Sequence, residues 1–173
     1  MALTAIPLTP HIAAEIRGID LTVGADSETV AELQRLWLKH LVLVFRGSVL
    51  GRRICCASRA GSDASAGSRD PGPTVPRAYE RLLENIMVIS NIREEGEPIG
   101  ALPDGEMMFH HDMLHARVPH KGTCLYSVDV PATGGNTLFA NCTTAYDTLP
   151  AALREPLEGR KAFHHYNYGS VQK

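Results

Sequence analysis

The chain reads as a mainly β domain with flanking helices, an α+β arrangement, on three observations. Short apolar runs at 41–45 (LVLVF), 86–90 (IMVIS) and 123–130 (TCLYSVDV) are each bounded by turn residues, as buried strands are. One segment, 27–40 (SETVAELQRLWLKH), instead carries its apolar residues at helical spacing. Turn-forming Gly, Pro, Asn and Asp punctuate the remainder, and no internal repeat interrupts the pattern.

In chain order, the opening PLTPHIAAEIRGIDL comes first. The helix over 27–40 follows, with Ser27 or Thr29 as its N-cap and acids in its first turn. Its stripe of Val30, Leu33, Leu36, Trp37 and Leu41 is expected to face the core, Trp37 serving packing alone. The strand at 41–45 comes next. Residues 48–76 (SVLGRRICCASRAGSDASAGSRDPGPTVP) show neither a period of two nor a helical one and lack aromatics, so they read as loop or disorder. After the strand at 86–90, residues 92–105 (IREEGEPIGALPDG) read as a loop. A last helix starts at Thr148-Leu149-Pro150 with Pro in its first turn, is bent or weakened at Pro156, and ends at Gly159.

Composition sets the outer limits. With 173 residues the chain can bury a useful core, since a chain of roughly 150 residues buries about 70% of its unfolded surface. A formal net charge of −2 with scattered Lys and Arg argues against a nucleic-acid partner. No apolar run approaches the ~18 residues of a membrane span, and MALTAIPLTP lacks the charged and apolar regions of a signal peptide, so a cytoplasmic location without membrane partners is expected. Neither a CxxC pair nor a secreted cysteine framework is present, and Cys124 and Cys142 read as reduced, buried thiols.

The chemistry points to Phe109-His110-His111-Asp112-Met113. In an extended segment residues i and i+2 share a face, so the His110 imidazole and the Asp112 carboxylate can approach one cation while His111 points elsewhere. Two nitrogen donors and one carboxylate on a face of an octahedron form the triad of non-haem Fe(II) oxygenases, which leaves three positions open. This stretch supplies one nitrogen and the carboxylate. A His-x-Asp triplet standing alone is more often a surface ion pair than a ligand pair. Thr137, beside Gly134-Gly135, taken by itself is a β-branched strand residue after a turn.

Four stretches, in order, resemble the taurine catabolism dioxygenase (TauD/TfdA) family of Fe(II)- and 2-oxoglutarate-dependent oxygenases: the opening PLTPHIAAEIRGIDL, LVLVFRG at 41–47, FHHD, and residues 128–166, which carry the specific pattern P-x-x-G-G-[DN]-T-x-F as PATGGNTLF. The resemblance implies a double-stranded β-helix, a jelly-roll of the clavaminate synthase-like kind. It makes His110 and Asp112 the first two iron ligands and Thr137 the residue whose hydroxyl binds a carboxylate of the co-substrate 2-oxoglutarate. The implied reaction is hydroxylation of a small organic substrate with O2, coupled to oxidative decarboxylation of 2-oxoglutarate to succinate and CO2.

The resemblance also brings departures. The family's second iron-binding His and the Arg that pairs with 2-oxoglutarate have no counterpart here, so the expectation is one C-terminally truncated, partial domain over 1–173. His164 and His165 fall outside the ligand position and read as a strand-end pair. The family has a helix where 48–76 is aberrant; with GC-leaning codons, Ile54–Asp63 read in a shifted frame gives LLRFSRRFG, which resembles that helix, so a frameshift is expected. Around the metal motif Glu106, Met107, Met108, Met113, Leu114 and His115 would form part of the substrate pocket. The methionines offer an adaptable apolar wall, and Glu106 would repel a sulfonate such as taurine. The alternative is a catalytically inactive fragment of such an enzyme, at most a weak metal-binding or self-associating β module that forms a homo-oligomer through exposed strand edges.

Overall fold

A computed structural model of the chain describes residues 3–48, 88–100 and 108–165. These fall into two compact units, one of 3–48 with 124–162, the other of 88–100, 108–123 and 163–165. The aberrant stretch at 48–76 lies outside the described residues except for Ser48, as do Glu106 and Met107.

In the first unit, β1 (Thr4–Pro7) and β2 (Ala14–Arg17) pair antiparallel, with Thr4 opposite Arg17 and Pro7 opposite Ala14. The turn between them is held by Thr9, whose Oγ1 accepts from the Ile12 amide at 3.0 Å. α1 (Ser27–His40) then crosses over, and β3 (Leu43–Val44) adds to β2 in parallel, giving the sheet order β1-β2-β3. A parallel neighbour needs such a crossover, which a helix supplies.

The cap of α1 is Asp26, not Ser27 or Thr29: its side chain accepts from the Thr29 amide at 2.7 Å. That hydrogen bond, followed by the Thr29 hydroxyl, holds the Asp26 carboxyl below its ordinary range. At the other end Leu41 turns to φ 63 and its amide donates to the Trp37 carbonyl, while the Trp37 indole N–H donates to the Leu41 carbonyl at 2.9 Å. Trp37 therefore closes the helix as well as packing. Because Leu41 belongs to this cap, the strand expected over 41–45 is confined to Leu43–Val44.

The core among the described residues is small: Ala14, Ile16 and Leu36 are buried. Of the apolar stripe on α1 only Leu36 is buried, whereas Val30 and Leu41 are exposed. The helical period was right, but a stripe becomes core only where another element covers it. On the opposite face of β2, Glu15 is 12% exposed and bridges Arg17 at 2.6 Å and Arg46 at 3.1 Å. Hydrogen bonding from Arg17, and then from Arg46, holds its carboxyl below the ordinary value despite opposing desolvation.

Elsewhere several local expectations are corrected. Within 92–105 the described residues hold a hairpin, β4 (Arg93–Glu94) against β5 (Glu97–Pro98). Glu95 at φ 52 and Gly96 at φ 87 supply the two left-handed positions that a two-residue hairpin turn requires. Of the strand expected at 86–90, the described part contributes an isolated bridge at Ile89. Residues 123–130 form no ladder and expose Leu125, Val128 and Val130, since an apolar run becomes a strand only when a partner takes its backbone groups.

The last helical region divides into three. α2 (Cys142–Asp147), which the sequence reading missed, is capped by Asn141. α3 (Ala151–Arg154) has Pro150 at its N-cap and gives way to a 3-10 turn at Glu155–Leu157, where Pro156 lacks the amide an α-helix would need. Cys124 and Cys142 are exposed, not buried, because neither segment is covered. No helix among the described residues is long and apolar enough to cross a membrane.

Candidate metal centre

His110 and Asp112 lie just before a reversal of the chain. Met113 takes φ 55, a costly conformation for a residue with a side chain, and the Ala116 amide donates back to the Met113 carbonyl at 3.0 Å. Neither residue sits in a ladder strand, yet the i and i+2 relation holds: His110 Nε2 is 3.2 Å from Asp112 Oδ1. His111 does not join them; its Nδ1 is 3.2 Å from the Asp112 carbonyl.

The other polar atom of each side chain is engaged. His110 Nδ1 lies 2.8 Å from the Met108 carbonyl, a contact that places a proton on Nδ1 and, in the neutral ring, leaves Nε2 with a lone pair. Asp112 Oδ2 accepts from the Thr123 hydroxyl at 2.5 Å. What remains is one nitrogen and one carboxylate oxygen facing each other, and both side chains are accessible, at 54% and 43% exposure.

The spacing suits a shared cation. Two donors bound at right angles, each about 2.1 Å from a metal ion, stand about 3 Å apart, close to the 3.2 Å between Nε2 and Oδ1. The donor types, imidazole nitrogen and carboxylate oxygen, are those of the facial iron site. No group of three His, Cys, Asp or Glu arranged for a metal occurs among the described residues, where His110 and Asp112 form a pair. His164 and His165 are exposed, with the His165 ring stacked on Phe163 at 6.5 Å.

Thr137 belongs to the other unit. Before it, Gly134 at φ 78 and Gly135 at φ 64 take consecutive left-handed conformations, and a Cβ on Gly135 would meet Pro131 Cγ at 3.0 Å. The Pro-x-x-Gly-Gly pattern thus has a local basis: glycine takes these φ values without strain, and at Gly135 a Cβ would crowd the proline ring. Thr137 itself is exposed, on an extended stretch that Asn141 anchors. Asn141 Oδ1 accepts from the Thr144 amide at 3.1 Å, and its Nδ2 donates to the His11 carbonyl at 2.8 Å. Of the remaining expected pocket residues, Met108 and Leu114 are exposed and Met113 is half-buried. Sequence reasoning missed Thr123 and the Met108 carbonyl, because neither carries a local signal of its role.

The chain is 32% identical over 168 residues to an alpha-ketoglutarate-dependent sulfate ester dioxygenase of Pseudomonas putida, covering 96% of this chain and 51% of that protein. It is 30% identical over 171 residues to an alpha-ketoglutarate-dependent 2,4-dichlorophenoxyacetate dioxygenase of Cupriavidus pinatubonensis, covering 95% and 59%. A solved structure from Burkholderia xenovorans, assigned as an alpha-ketoglutarate dependent 2,4-D dioxygenase, superposes with a TM-score of 0.57 at 26% identity, over 91% of this chain and 51% of that one. The chain therefore spans between half and three-fifths of the length of these proteins, and the likeness implies the jelly-roll fold of 2-oxoglutarate oxygenases. Because the sequence model for taurine catabolism dioxygenase TauD, TfdA family matches residues 4–172, almost the whole chain, the protein belongs to that family.

Proposed function

We propose that the chain is part of an Fe(II)- and 2-oxoglutarate-dependent dioxygenase that hydroxylates a small organic acid or ester, with His110 and Asp112 as iron ligands and Thr137 on the co-substrate. The observation that carries this reading is the approach of His110 Nε2 and Asp112 Oδ1 to 3.2 Å, each held from behind, in a chain matched to the family from residue 4 to 172.

Each residue has a defined task. The Met108 carbonyl accepts a hydrogen bond from Nδ1–H of His110, which holds the proton there and keeps Nε2 for the metal. Asp112 supplies the anionic oxygen that offsets the cation's charge. The Thr137 hydroxyl donates a hydrogen bond to a carboxylate of 2-oxoglutarate, which is stronger than one to a neutral acceptor. Bound iron supplies the oxidative decarboxylation of 2-oxoglutarate and the coupled hydroxylation of a C–H bond. A small organic anion as substrate is supported by the relatives, whose names include a sulfate ester and a dichlorophenoxyacetate. Met113 and Leu114, directly after Asp112, would contribute apolar surface beside such a substrate.

The test is an anaerobic titration of the chain with Fe(II) and 2-oxoglutarate, followed by the visible charge-transfer absorption of chelated 2-oxoglutarate. A saturable band is expected, lost in His110→Ala and in Asp112→Ala. A band that survives both substitutions would overturn the assignment of these ligands, and a folded chain that gives none would remove the iron reading altogether.

A further inference from the structure

An aspartate that serves as a single-oxygen ligand must be prevented from turning its second oxygen onto the metal, because chelation through both would consume a position needed for co-substrate or O2. Asp112 meets this requirement through a residue eleven positions later. The Thr123 hydroxyl donates to Oδ2 at 2.5 Å, while Oδ1 faces His110 Nε2 at 3.2 Å. We infer that Thr123 is a positioning residue that fixes Asp112 as a one-oxygen ligand, an inference that rests on the reading of His110 and Asp112 as metal ligands.

Geometry and chemistry carry this together. A threonine hydroxyl has one proton to give, and an ionised carboxylate can only accept, so the direction of the bond is set. With Oδ2 occupied, rotation of the carboxylate about its last torsion costs that hydrogen bond, and the torsion is otherwise soft for aspartate. The Met108 carbonyl plays the matching part for His110 at 2.8 Å. Both ligands are thus oriented by a partner on the side away from the metal, the arrangement found behind metal-bound histidines and carboxylates in general. The need is acute here because Asp112 is 43% exposed and little packing holds its side chain. The reversal after Met113 is what allows the later segment to return beside Asp112.

The test is a titration of the whole chain with Mn(II) alone, read by the EPR signal of the free aqua ion, so that neither turnover nor 2-oxoglutarate enters the result. The expected outcome is that Thr123→Ser binds as wild type does, whereas Thr123→Val and Thr123→Ala bind about 10–100-fold more weakly, the usual loss when a supporting partner of a metal ligand is removed. If Thr123→Val does not fold, judged by circular dichroism, the Ser and Ala variants decide the matter, since they differ in the hydroxyl alone. Equal affinity in all Thr123 variants while His110→Ala abolishes binding would overturn the role of Thr123 and leave the metal site standing. Absence of Mn(II) binding by the wild-type chain, or binding untouched by His110→Ala, would overturn the site and this inference with it. A Ser variant as weak as the Ala variant would show that the methyl group matters and the hydroxyl does not, which also overturns it.

Discussion

His110 has two ring nitrogens, and a backbone carbonyl decides between them: with Nδ1 at 2.8 Å from Met108 O, Nε2 is the atom turned toward Asp112. The glycine pair before Thr137 takes φ 78 and φ 64, where a side chain is strained, and at Gly135 an added Cβ would also crowd Pro131 Cγ at 3.0 Å. As the proposed co-substrate residue, Thr137 would offer one hydroxyl to 2-oxoglutarate. Replacing it by Val keeps the shape and removes the donor, so the affinity for 2-oxoglutarate, measured by titration of the Fe(II)-loaded chain, is expected to fall by about tenfold, the worth of a hydrogen bond to a charged acceptor; Thr137→Ser should retain it. Unchanged affinity in the Val variant would remove Thr137 from the site. His110 and Asp112 were legible because their relation is local, two positions apart. Thr123 was not, since only a turn at Met113 brings it to the carboxylate.

The elements of the first unit are closed by side chains at their ends. Asp26 caps α1, the Trp37 indole closes its last turn, and Asn141 opens α2 while donating to the turn between β1 and β2. Asn141 carries two jobs with two atoms, so Asn141→Ala should lose both, at about 1–2 kcal/mol for a cap and a hydrogen bond together. Asn141→Asp keeps the cap acceptor and loses the donor to His11, and should fall between. Urea unfolding midpoints would check the order; an Asp variant as poor as Ala would mean that the link to His11 dominates. The period of α1 was readable to the residue, from Ser27 to His40, whereas α2 has only six residues, too few for a period to show. The β4-β5 hairpin was hidden for a related reason. Its strands are two residues each, and its turn is Glu-Gly, a weaker signal than Asn-Gly or Asp-Gly.

Four carboxylates of the first unit share one direction of shift. Glu15, Asp20, Asp26 and Glu32 are all held below their ordinary values, by Arg17, by Thr22, by the Thr29 amide and by Arg35 respectively. For each, the unfolded chain binds the proton more readily than the folded one. Their contribution is therefore complete above the ordinary carboxylate range and disappears as the pH falls through the lowered folded values. Thermal melts over an acid series should show stability rising with pH on this limb. Glu15→Gln should lower the melting temperature most near neutral pH, with the gap to wild type closing on acidification; a constant gap would show that Glu15 acts through packing and not through its charge. Large apolar side chains remain open to solvent, Val128 at 89% and Phe163 at 91% exposure among them, and such surface favours association.

The sequence by itself determined what depends on neighbours along the chain: the limits of α1, the approach of His110 to Asp112 two positions on, and the glycine turn before Thr137. It also pointed to the family, because PATGGNTLF and FHHD are contiguous strings that can be matched without knowing the fold. The tertiary structure alone decided which apolar residues are covered, so that Leu36 is buried where Val30 is not, and that 123–130 carries no ladder. It alone decided that Glu15 lies between two arginines and that Thr123 stands behind Asp112. Burial, strand pairing and the partner of a carboxylate are properties of two segments at once, and a pattern within one segment cannot contain them.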